Sequence, residues 1–264
     1  MPDLKEDKRY ANTLARGLRI LRAFRPTDDG LSNLQISDRT GIPRSTVSRL
    51  TFTLCALGYL THGRHHDRYR LGPSALALGN IAAASFGFVE TATPIMQALA
   101  NETKTLVGVA IHDDDRMLLV KTWRPENTTT VWLNVGYRIP LSSSSTGAAY
   151  LGALSDAEFE KLTGPMDESS RSECAALRMQ FQDMLLTRGF AIADTAKRFN
   201  ASINAIASPY RPTDFAQPVA FLASARTEDL TFERAQTEVG PALVNALYQL
   251  QDVTGQQHSA LPGI

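Results

Sequence analysis

The first third of the chain alternates apolar positions at helical spacing with short polar turns. A stripe that recurs every three or four residues predicts an amphipathic first helix burying Leu14, Leu18, Leu21 and Phe24. Ser32 and Gln35 have the spacing of a capping box, which predicts a short helix over residues 33–40. Gly41 can end that helix in the left-handed conformation, and Pro43 precedes another helical stretch. The pattern therefore predicts two helices joined by a tight turn.

The second of these helices has one apolar and one cationic face. Its apolar positions are Val47, Leu50, Leu54 and Leu57. The opposite face carries Arg44, Ser45, Thr46, Ser48 and Arg49. Guanidinium groups bind phosphates and guanine edges, and short hydroxyl side chains let the backbone approach DNA. These five residues are candidate DNA contacts, and the alternative is that the arginines are ordinary solvated charges.

A basic hairpin is predicted directly after the second helix. Strand alternation points Tyr69 and Leu71 inward and Arg68 and Arg70 outward, while Arg64 occupies the tip. Such a hairpin, beside a recognition helix, can hold the neighbouring phosphate backbone or enter the minor groove. We therefore add these three arginines to the candidate DNA contacts. The histidines at 65 and 66 fit a plain polar turn, since further metal ligands at usable spacing are missing.

The neutral net charge of the chain hides an uneven distribution. Residues 1–73 hold 13 basic and 7 acidic side chains, whereas the remainder holds 14 and 20. A cationic front and an anionic rear are expected when only the front meets a polyanion. The distribution therefore favours DNA binding over the solvated-charge interpretation.

The chain resembles the IclR family of bacterial transcriptional regulators. The resemblance is strongest in RGLRILRAF at 16–24, TGIPRSTVSRL at 40–50, LGYL at 57–60 and RYRLGPSALALG at 68–79. It continues more weakly through VGYRIPLSSSSTGAAYLGAL at 135–154, RGFAIAD at 188–194, INAIASPYRP at 203–212 and VAFLASA at 219–225. It implies a ligand-responsive, sequence-specific regulator, with repression favoured over activation.

Length and resemblance together predict three regions. They are a winged helix-turn-helix DNA-binding domain over 1–73, a linker helix over 74–92, and an effector-binding and oligomerisation domain over 93–264. The linker is alanine-rich and too apolar to stay free, so it packs either on its own domain or on a second copy. The resemblance implies the second arrangement, a homodimer or tetramer that places two recognition helices about one DNA turn apart.

The rear region mixes helix and strand signals, which predicts an α+β fold. TLVGVAIH and MLLVKTW flank the acidic turn DDDR as a hairpin, and FAIAD, SINAIASPY and PVAFLASA are further strands. Helices are expected near 90–103, 145–154, 155–163, 170–188 and 231–253. The resemblance implies a GAF-like or profilin-like antiparallel sheet with a ligand pocket on one face.

A serine-rich segment before the helix at 145 is the candidate for effector capture. Hydroxyls and unpaired N–H groups at a helix start can hold a carboxylate, although a serine-rich loop alone is more often solvated chain. The resemblance aligns this segment with the family's effector loop, which favours capture. It makes the candidate contacts Leu141, Ser144, Ser145, Thr146, Gly147, Tyr150, Asp194, Ala205, Phe221, Ala223 and Ala225.

This lining departs from relatives that bind very small oxo-acids. Those place serines at the positions of Ala223 and Ala225 and a cysteine at that of Ala205, so three polar contacts are missing here. An apolar lining favours a larger acid with an aromatic or aliphatic body. Trp123 and Trp132 are candidates to stack on that body, although core packing is the commoner use.

Other function classes find less support. His112 beside three aspartates suggests acid–base chemistry, but this segment fits a hairpin turn better, and nucleophile, phosphate-loop and histidine-metal motifs are missing. A winged helix used for protein contacts would not need the arginines. We therefore expect neither enzyme activity, cofactor, metal nor membrane partner. The partners are operator DNA, a small organic acid and the chain itself, in the cytoplasm.

Overall fold

A computed structural model describes residues 8–63, 67–192 and 200–255. The chain divides into two compact units, Met1–Ser85 and Phe86–Ile264. The division therefore falls inside the predicted linker rather than at either of its ends. Each unit has its own apolar core.

The N-terminal unit consists of short helices and a two-stranded hairpin. Its elements are α1 (Asn12–Arg22), α2 (Asn33–Thr40), α3 (Arg44–Ala56), β1 (Leu60–His62), β2 (Tyr69–Leu71) and α4 (Pro73–Ala84). The strands pair antiparallel, and Leu31 adds an isolated bridge to Tyr69. This arrangement confirms the predicted winged helix-turn-helix.

The predicted apolar stripe of α1 is wrong for Leu14 and Leu18, whereas Leu21 and Phe24 are half-buried and pack against the core as predicted. Gly17 and Ile20 are the buried residues of α1, and Ile20 joins the core formed with α2 and α3. Leu14 and Leu18 instead remain 63% and 52% exposed. Helix α1 carries apolar residues on more than one side, and on each side they recur every three or four residues. Helical spacing alone therefore did not show which side would pack against α3.

The predicted linker helix is broken. Helix α4 ends at Ala84, and α5 (Gly87–Thr103) begins a separate helix, so Pro94 lies inside α5 rather than in its first turn. The Asp214 carboxylate accepts a hydrogen bond from the backbone N–H of Phe88 at 3.2 Å, and the Phe86 ring packs against Phe215. These contacts stabilise a new helix start, and they come from residues more than a hundred positions away.

The C-terminal unit contains a six-stranded antiparallel sheet in the order β5-β4-β3-β8-β7-β6. Its strands are β3 (Leu106–Asp113), β4 (Arg116–Trp123), β5 (Arg138–Pro140), β6 (Ala191–Ile192), β7 (Ile203–Tyr210) and β8 (Val219–Arg226). Beyond α5, its helices are α6 (Ser145–Gly152), α7 (Asp156–Thr163), α8 (Glu168–Arg188), α9 (Phe232–Arg234) and α10 (Gly240–Val253). The mixed α+β fold with an antiparallel sheet is confirmed.

Helices cover both faces of this sheet and create two separate cores. Helices α5 and α10 pack on one face, around Phe221 and Trp123. Helix α6 packs on the other face, with α8 behind it, around Leu222 and Phe181. Because side chains alternate along a strand, neighbouring residues of β8 belong to different cores.

The last predicted helix, over 231–253, contains a π-helical turn at Ala235–Val239 between α9 and α10. Pro241 lies just after this turn and has no N–H to donate to the Thr237 carbonyl, so regular helical pairing cannot continue there. Gly240 packs against Phe190, and a Cβ at this glycine would lie 2.3 Å from the ring.

An ion pair ties α7 to the end of β7. The Arg211 guanidinium donates to both oxygens of Glu158, at 2.6 and 3.2 Å, and to the carbonyl of Ala153. Glu158 also completes the capping box with Ser155. The hydrogen bond from Arg211 is the main reason that the pKa of Glu158 falls from 4.5 to about 2.

We predict that Glu158→Gln lowers the free energy of unfolding of this unit by about 1 kcal/mol at pH 7, since the pair is partly exposed. The carboxylate stabilises the fold above its unfolded pKa, and this contribution is lost as pH falls toward the folded value. Urea unfolding at pH 7 and pH 3 should therefore show the gap between variant and wild type narrowing in acid. An equal gap at both pH values would contradict the role of ionised Glu158.

Candidate functional site

The two helices of the helix-turn-helix are held by local hydrogen bonds. The capping box is present, with Gln35 N–H donating to Ser32 Oγ at 3.3 Å and Ser32 N–H donating to Gln35 Oε1 at 3.0 Å. Gly41 adopts a φ of 67°, as the turn requires. Thr51 Oγ1 is 3.3 Å from Asn33 Oδ1, which joins α3 to α2. The sequence predictions for this motif are confirmed.

The inner face of α3 differs in part from the prediction. Val47, Thr51 and Leu54 are buried, and Leu50 is half-buried. Leu57 is 59% exposed, because α3 ends at Ala56 and the chain turns away at Gly58. Thr51 was missed because its hydroxyl looks polar in the sequence, yet that group also bonds the Val47 carbonyl at 3.0 Å.

The outer face of α3 presents the predicted cluster to solvent. Arg44, Ser45, Ser48 and Arg49 are exposed and Thr46 is half-buried. Within the described ranges, the side chains of Arg44 and Arg49 form neither a hydrogen bond nor an ion pair. Val47 N–H makes the first helical bond, to Pro43 O, so the three preceding N–H groups lack a helical acceptor. This end of α3 is therefore a donor-rich, positively charged surface.

The hairpin β1–β2 carries the remaining described arginines. Leu60 is buried opposite Leu71, and Tyr69 packs on the same core, but Leu71 is 49% exposed. The inward placement predicted for Leu71 is wrong, since the small core covers Tyr69 and ends before Leu71. Arg64, the predicted tip residue, lies outside the described residues, as do the two tip histidines.

Two adjacent aspartates form ion pairs, one with α2 and one with this hairpin. Asp28 accepts two hydrogen bonds from Arg39 at 2.6 and 2.8 Å, and these lower the pKa of its carboxyl group. Asp29 forms an ion pair with Arg70, while Arg68 donates to the Gly30 carbonyl at 3.3 Å. The outward placement of both hairpin arginines is confirmed, and Arg70 is held by a solvent-exposed carboxylate.

The second candidate region lies where α6 begins. Ser144 is the N-cap, and its Oγ accepts from Gly147 N–H at 2.9 Å. Ala148 N–H bonds the Ser144 carbonyl, so the N–H groups of Ser145 and Thr146 lack a helical acceptor. A Cβ at Gly147 would lie 1.9 Å from the Leu141 carbonyl, so only glycine fits this approach. The result is a buried helix start that can bind an anion.

A small cavity lies against this helix start. Its volume is about 40 Å³, and its lining includes Ser144, Ser145, Thr146, Ala205 and Leu222. Four of the predicted effector contacts thus meet at one cavity. Leu141 and Gly147 lie directly behind the helix start without lining the cavity. Asp194 is outside the described residues.

The strand residues predicted as pocket walls do not line this cavity. Phe221, Ala223 and Ala225 face the core formed with α5 and α10. The β7–β8 register pairs Ala205 with Ser224, and Ala207 with Leu222, on the other face. Neighbouring residues of a strand point to opposite faces of the sheet. The alternation in the sequence therefore could not reveal which of the two alternating sets of β8 residues faces α6.

The remaining predicted contacts have structural roles. Tyr150 stacks on His112 at 5.0 Å in the core beneath α6, and burial lowers the pKa of that histidine. Asp114 occupies a tight turn between β3 and β4, so the hairpin interpretation is confirmed. Trp123 stacks on Phe221 inside the opposite core, whereas Trp132 is exposed beneath Arg124. Neither tryptophan lines the cavity.

Family models match most of the chain. The IclR helix-turn-helix domain matches residues 13–63, and the bacterial transcriptional regulator IclR C-terminal domain matches residues 81–241. The chain belongs to the IclR family. IclR-family proteins are DNA-binding transcription regulators and not enzymes, which confirms the function class expected from the arginine-bearing motif.

Curated relatives of this chain include named transcriptional regulators from other bacteria. The Pca regulon regulatory protein of Pseudomonas putida is 32% identical over 63% of this chain and 57% of its own length. The transcriptional regulator TsaQ1/TsaQ2 of Comamonas testosteroni is 25% identical over 95% of this chain and 90% of its length. This chain thus aligns with little more than half of the first relative and nearly all of the second.

Solved IclR structures support the fold. An IclR-family regulator from Brucella abortus has 28% identity and a TM-score of 0.75, with 95% of each chain covered. An IclR homologue from Microbacterium hydrocarbonoxydans, solved with 4-hydroxybenzoate, has 20% identity and a TM-score of 0.67, covering 91% of this chain and 99% of its own. In the described part of the present chain, no single helix has the length and hydropathy to cross a membrane.

We predict that Asp29→Asn raises DNA affinity about two- to fivefold, because it frees Arg70 for a phosphate, and exposed ion pairs are worth up to roughly 1 kcal/mol. Fluorescence anisotropy with a promoter duplex measures the change.

Asp38→Asn is the matched control, since it removes one exposed carboxylate that has no arginine partner in the described part of the chain. Arg70→Ala should abolish the gain from Asp29→Asn. Equal gains for the two asparagine variants would show that net charge, and not release of Arg70, is responsible.

Proposed function

We propose that this chain is a ligand-responsive regulator that binds a specific operator through α3 and the β1–β2 hairpin. The observation that carries the proposal is the outer face of α3, where two arginines and three hydroxyl side chains surround N–H groups that lack a helical acceptor, and neither arginine side chain has a partner among the described residues. Major-groove recognition requires this combination of base-edge donors and phosphate contacts. The arginines of the hairpin would hold the adjacent backbone.

The effector we propose is an organic acid whose carboxylate binds at the start of α6. The supporting features are the N–H groups of Ser145 and Thr146, which have no acceptor in the part of the chain that the structure describes, and the serine-rich lining of the cavity. An aromatic acid is favoured, because the Pseudomonas relative is named for the Pca regulon and one structural relative was solved with 4-hydroxybenzoate.

The size of the cavity suggests how such an acid would act. A cavity of about 40 Å³ is well below the roughly 150 Å³ that holds a benzene ring. An aromatic acid therefore binds only when the walls move apart. A ligand that binds only the open arrangement shifts the population toward it, and this differential affinity is what an effector needs.

We further propose that the chain works as a homodimer, with a tetramer as a higher assembly. Helix α4 buries none of its residues, and Leu76 and Ile81 are 66% and 68% exposed. Exposed apolar side chains along one helix favour pairing with a second copy. A dimer would present two copies of α3 to successive turns of the major groove.

The sign of regulation we propose is repression, exerted in the cytoplasm. Relatives named as repressors, including YiaJ and IclR of Escherichia coli, support this sign, while the p-hydroxybenzoate hydroxylase regulator of Acinetobacter baylyi is named an activator. Deleting the gene should raise transcription from the bound promoter if the chain represses it.

We predict that Arg44→Ala and Arg49→Ala each weaken binding to the promoter duplex by about 10- to 100-fold, the cost of losing a good base or phosphate contact. If the lost contact is with a phosphate, the affinity of the variant should also depend less steeply on salt concentration than that of the wild type. Arg171→Ala is the control, because this arginine lies in the other unit and pairs with Glu160. Unchanged affinity in both α3 variants would refute the proposed interface.

We predict that Ile81→Asp converts the dimer to a monomer and lowers operator affinity, since a charge would be buried in the apolar contact. Sedimentation velocity measures the assembly. Asn80→Asp places the same charge on the neighbouring exposed residue and should leave the dimer intact. A variant at Ile81 that sediments like the wild type would place the interface elsewhere.

A further inference from the structure

The side chain of Ser224 is an unexplained polar group inside the C-terminal unit. Ser224 is 0% exposed, and its Oγ has no hydrogen-bond partner among the described residues. Its neighbours across the strands are Leu106 and Ala205, which offer no side-chain acceptor. A buried hydroxyl without a partner destabilises a fold, because it loses its bonds to water and gains none.

The position of Ser224 connects it to the cavity at the start of α6. The register directs its side chain to the same sheet face as Leu222 and Ala205, both of which line that cavity. Ser224 thus lies immediately beside the sheet wall. The wall formed by α6 carries the N–H groups of Ser145 and Thr146, which have no acceptor among the described residues. These groups lie at the cavity itself, whereas Ser224 does not line it and lies next to it, paired across the strands with Ala205.

The helix start and Ser224 differ in the chemistry they can recognise. The helix start offers only N–H donors and hydroxyls beside a positive helix dipole, which suits a carboxylate. Ser224 offers one neutral hydroxyl that both donates and accepts. It suits a hydroxyl group, which also both donates and accepts. Between them, Ala205 and Leu222 provide apolar surface for a ring.

We propose that Ser224 is a specificity-determining residue that selects an aromatic acid bearing a ring hydroxyl over the unsubstituted acid. The inference rests on the proposed effector site, and it adds the substituent that the effector must carry. When the cavity opens around the ring, the hydroxyl of the ligand bonds Ser224 Oγ. A ring without this substituent leaves Ser224 unpaired, as it is among the described residues of the free chain, so only the hydroxylated ring gains a hydrogen bond on binding.

The test compares benzoate with 3- and 4-hydroxybenzoate by titration calorimetry on the full chain. We expect the better hydroxybenzoate to bind at least about tenfold more tightly than benzoate, which corresponds to about 1.4 kcal/mol. In Ser224→Ala this preference should disappear, while the affinity for benzoate stays unchanged. If only one of the two hydroxybenzoates binds more tightly than benzoate, the position of its hydroxyl group shows which ring carbon lies next to Ser224.

Thermal unfolding separates recognition from a merely structural role. Ser224→Ala should keep or raise the Tm, because it removes an unpaired hydroxyl. The control is Ser208→Ala, which should lower the Tm, since Ser208 Oγ donates to the Gly189 carbonyl at 2.6 Å.

Four outcomes would overturn the inference. If wild type shows no preference, or if Ser224→Ala keeps it, hydroxyl recognition by Ser224 is wrong while the acid site stands. If Ser224→Ala lowers the Tm as Ser208→Ala does, the hydroxyl has a structural bond. If none of the three acids binds while promoter DNA still does, the proposed effector class fails as well.

Discussion

The antiparallel pairing of β8 with both β3 and β7 is the constraint on which the C-terminal unit depends. It assigns every side chain of the central strand to one of two cores. Phe221 and Ala223 pack under α5 and α10, whereas Leu222 and Ser224 face α6. Because α6 packs on that face, the same register brings the start of α6 next to the sheet surface to which Leu222 and Ser224 belong. The candidate effector site is thus a consequence of strand pairing.

In the described part of the N-terminal unit, the hydrogen bonds that hold the helices in place do not use the arginine side chains of α3. Its structural hydrogen bonds use Ser32, Thr51 and the pair of Asp28 with Arg39. The arginines of α3 are left out of this network. The residues that hold the helices together are therefore separate from the exposed arginines of α3, so these arginines keep their charge available for the proposed DNA contact.

The proposed regulation uses one feature of each unit, the small cavity of the C-terminal unit and the exposed apolar helix α4 of the N-terminal unit. In the proposed mechanism, a ring enters the cavity only when its walls move apart, so ligand binding and wall movement are thermodynamically linked. Helix α4 exposes the apolar side chains that a second copy can cover. An effector that changes how two copies pair can change the spacing of their recognition helices.

Local patterns determined the helix-turn-helix, because a capping box, a left-handed glycine and helical spacing act over a few residues. The helix bounds of α2, the strands of the β3–β4 hairpin and the charged face of α3 could all be predicted in this way. Long-range contacts decided the rest. Asp214 stabilises a separate helix start inside the predicted linker. Packing against α3 selected Ile20 over Leu14 and Leu18, and strand register placed Ser224 rather than Ala223 on the sheet face that faces α6. A periodic sequence shows that a face exists, but only packing against distant residues decides which face is buried.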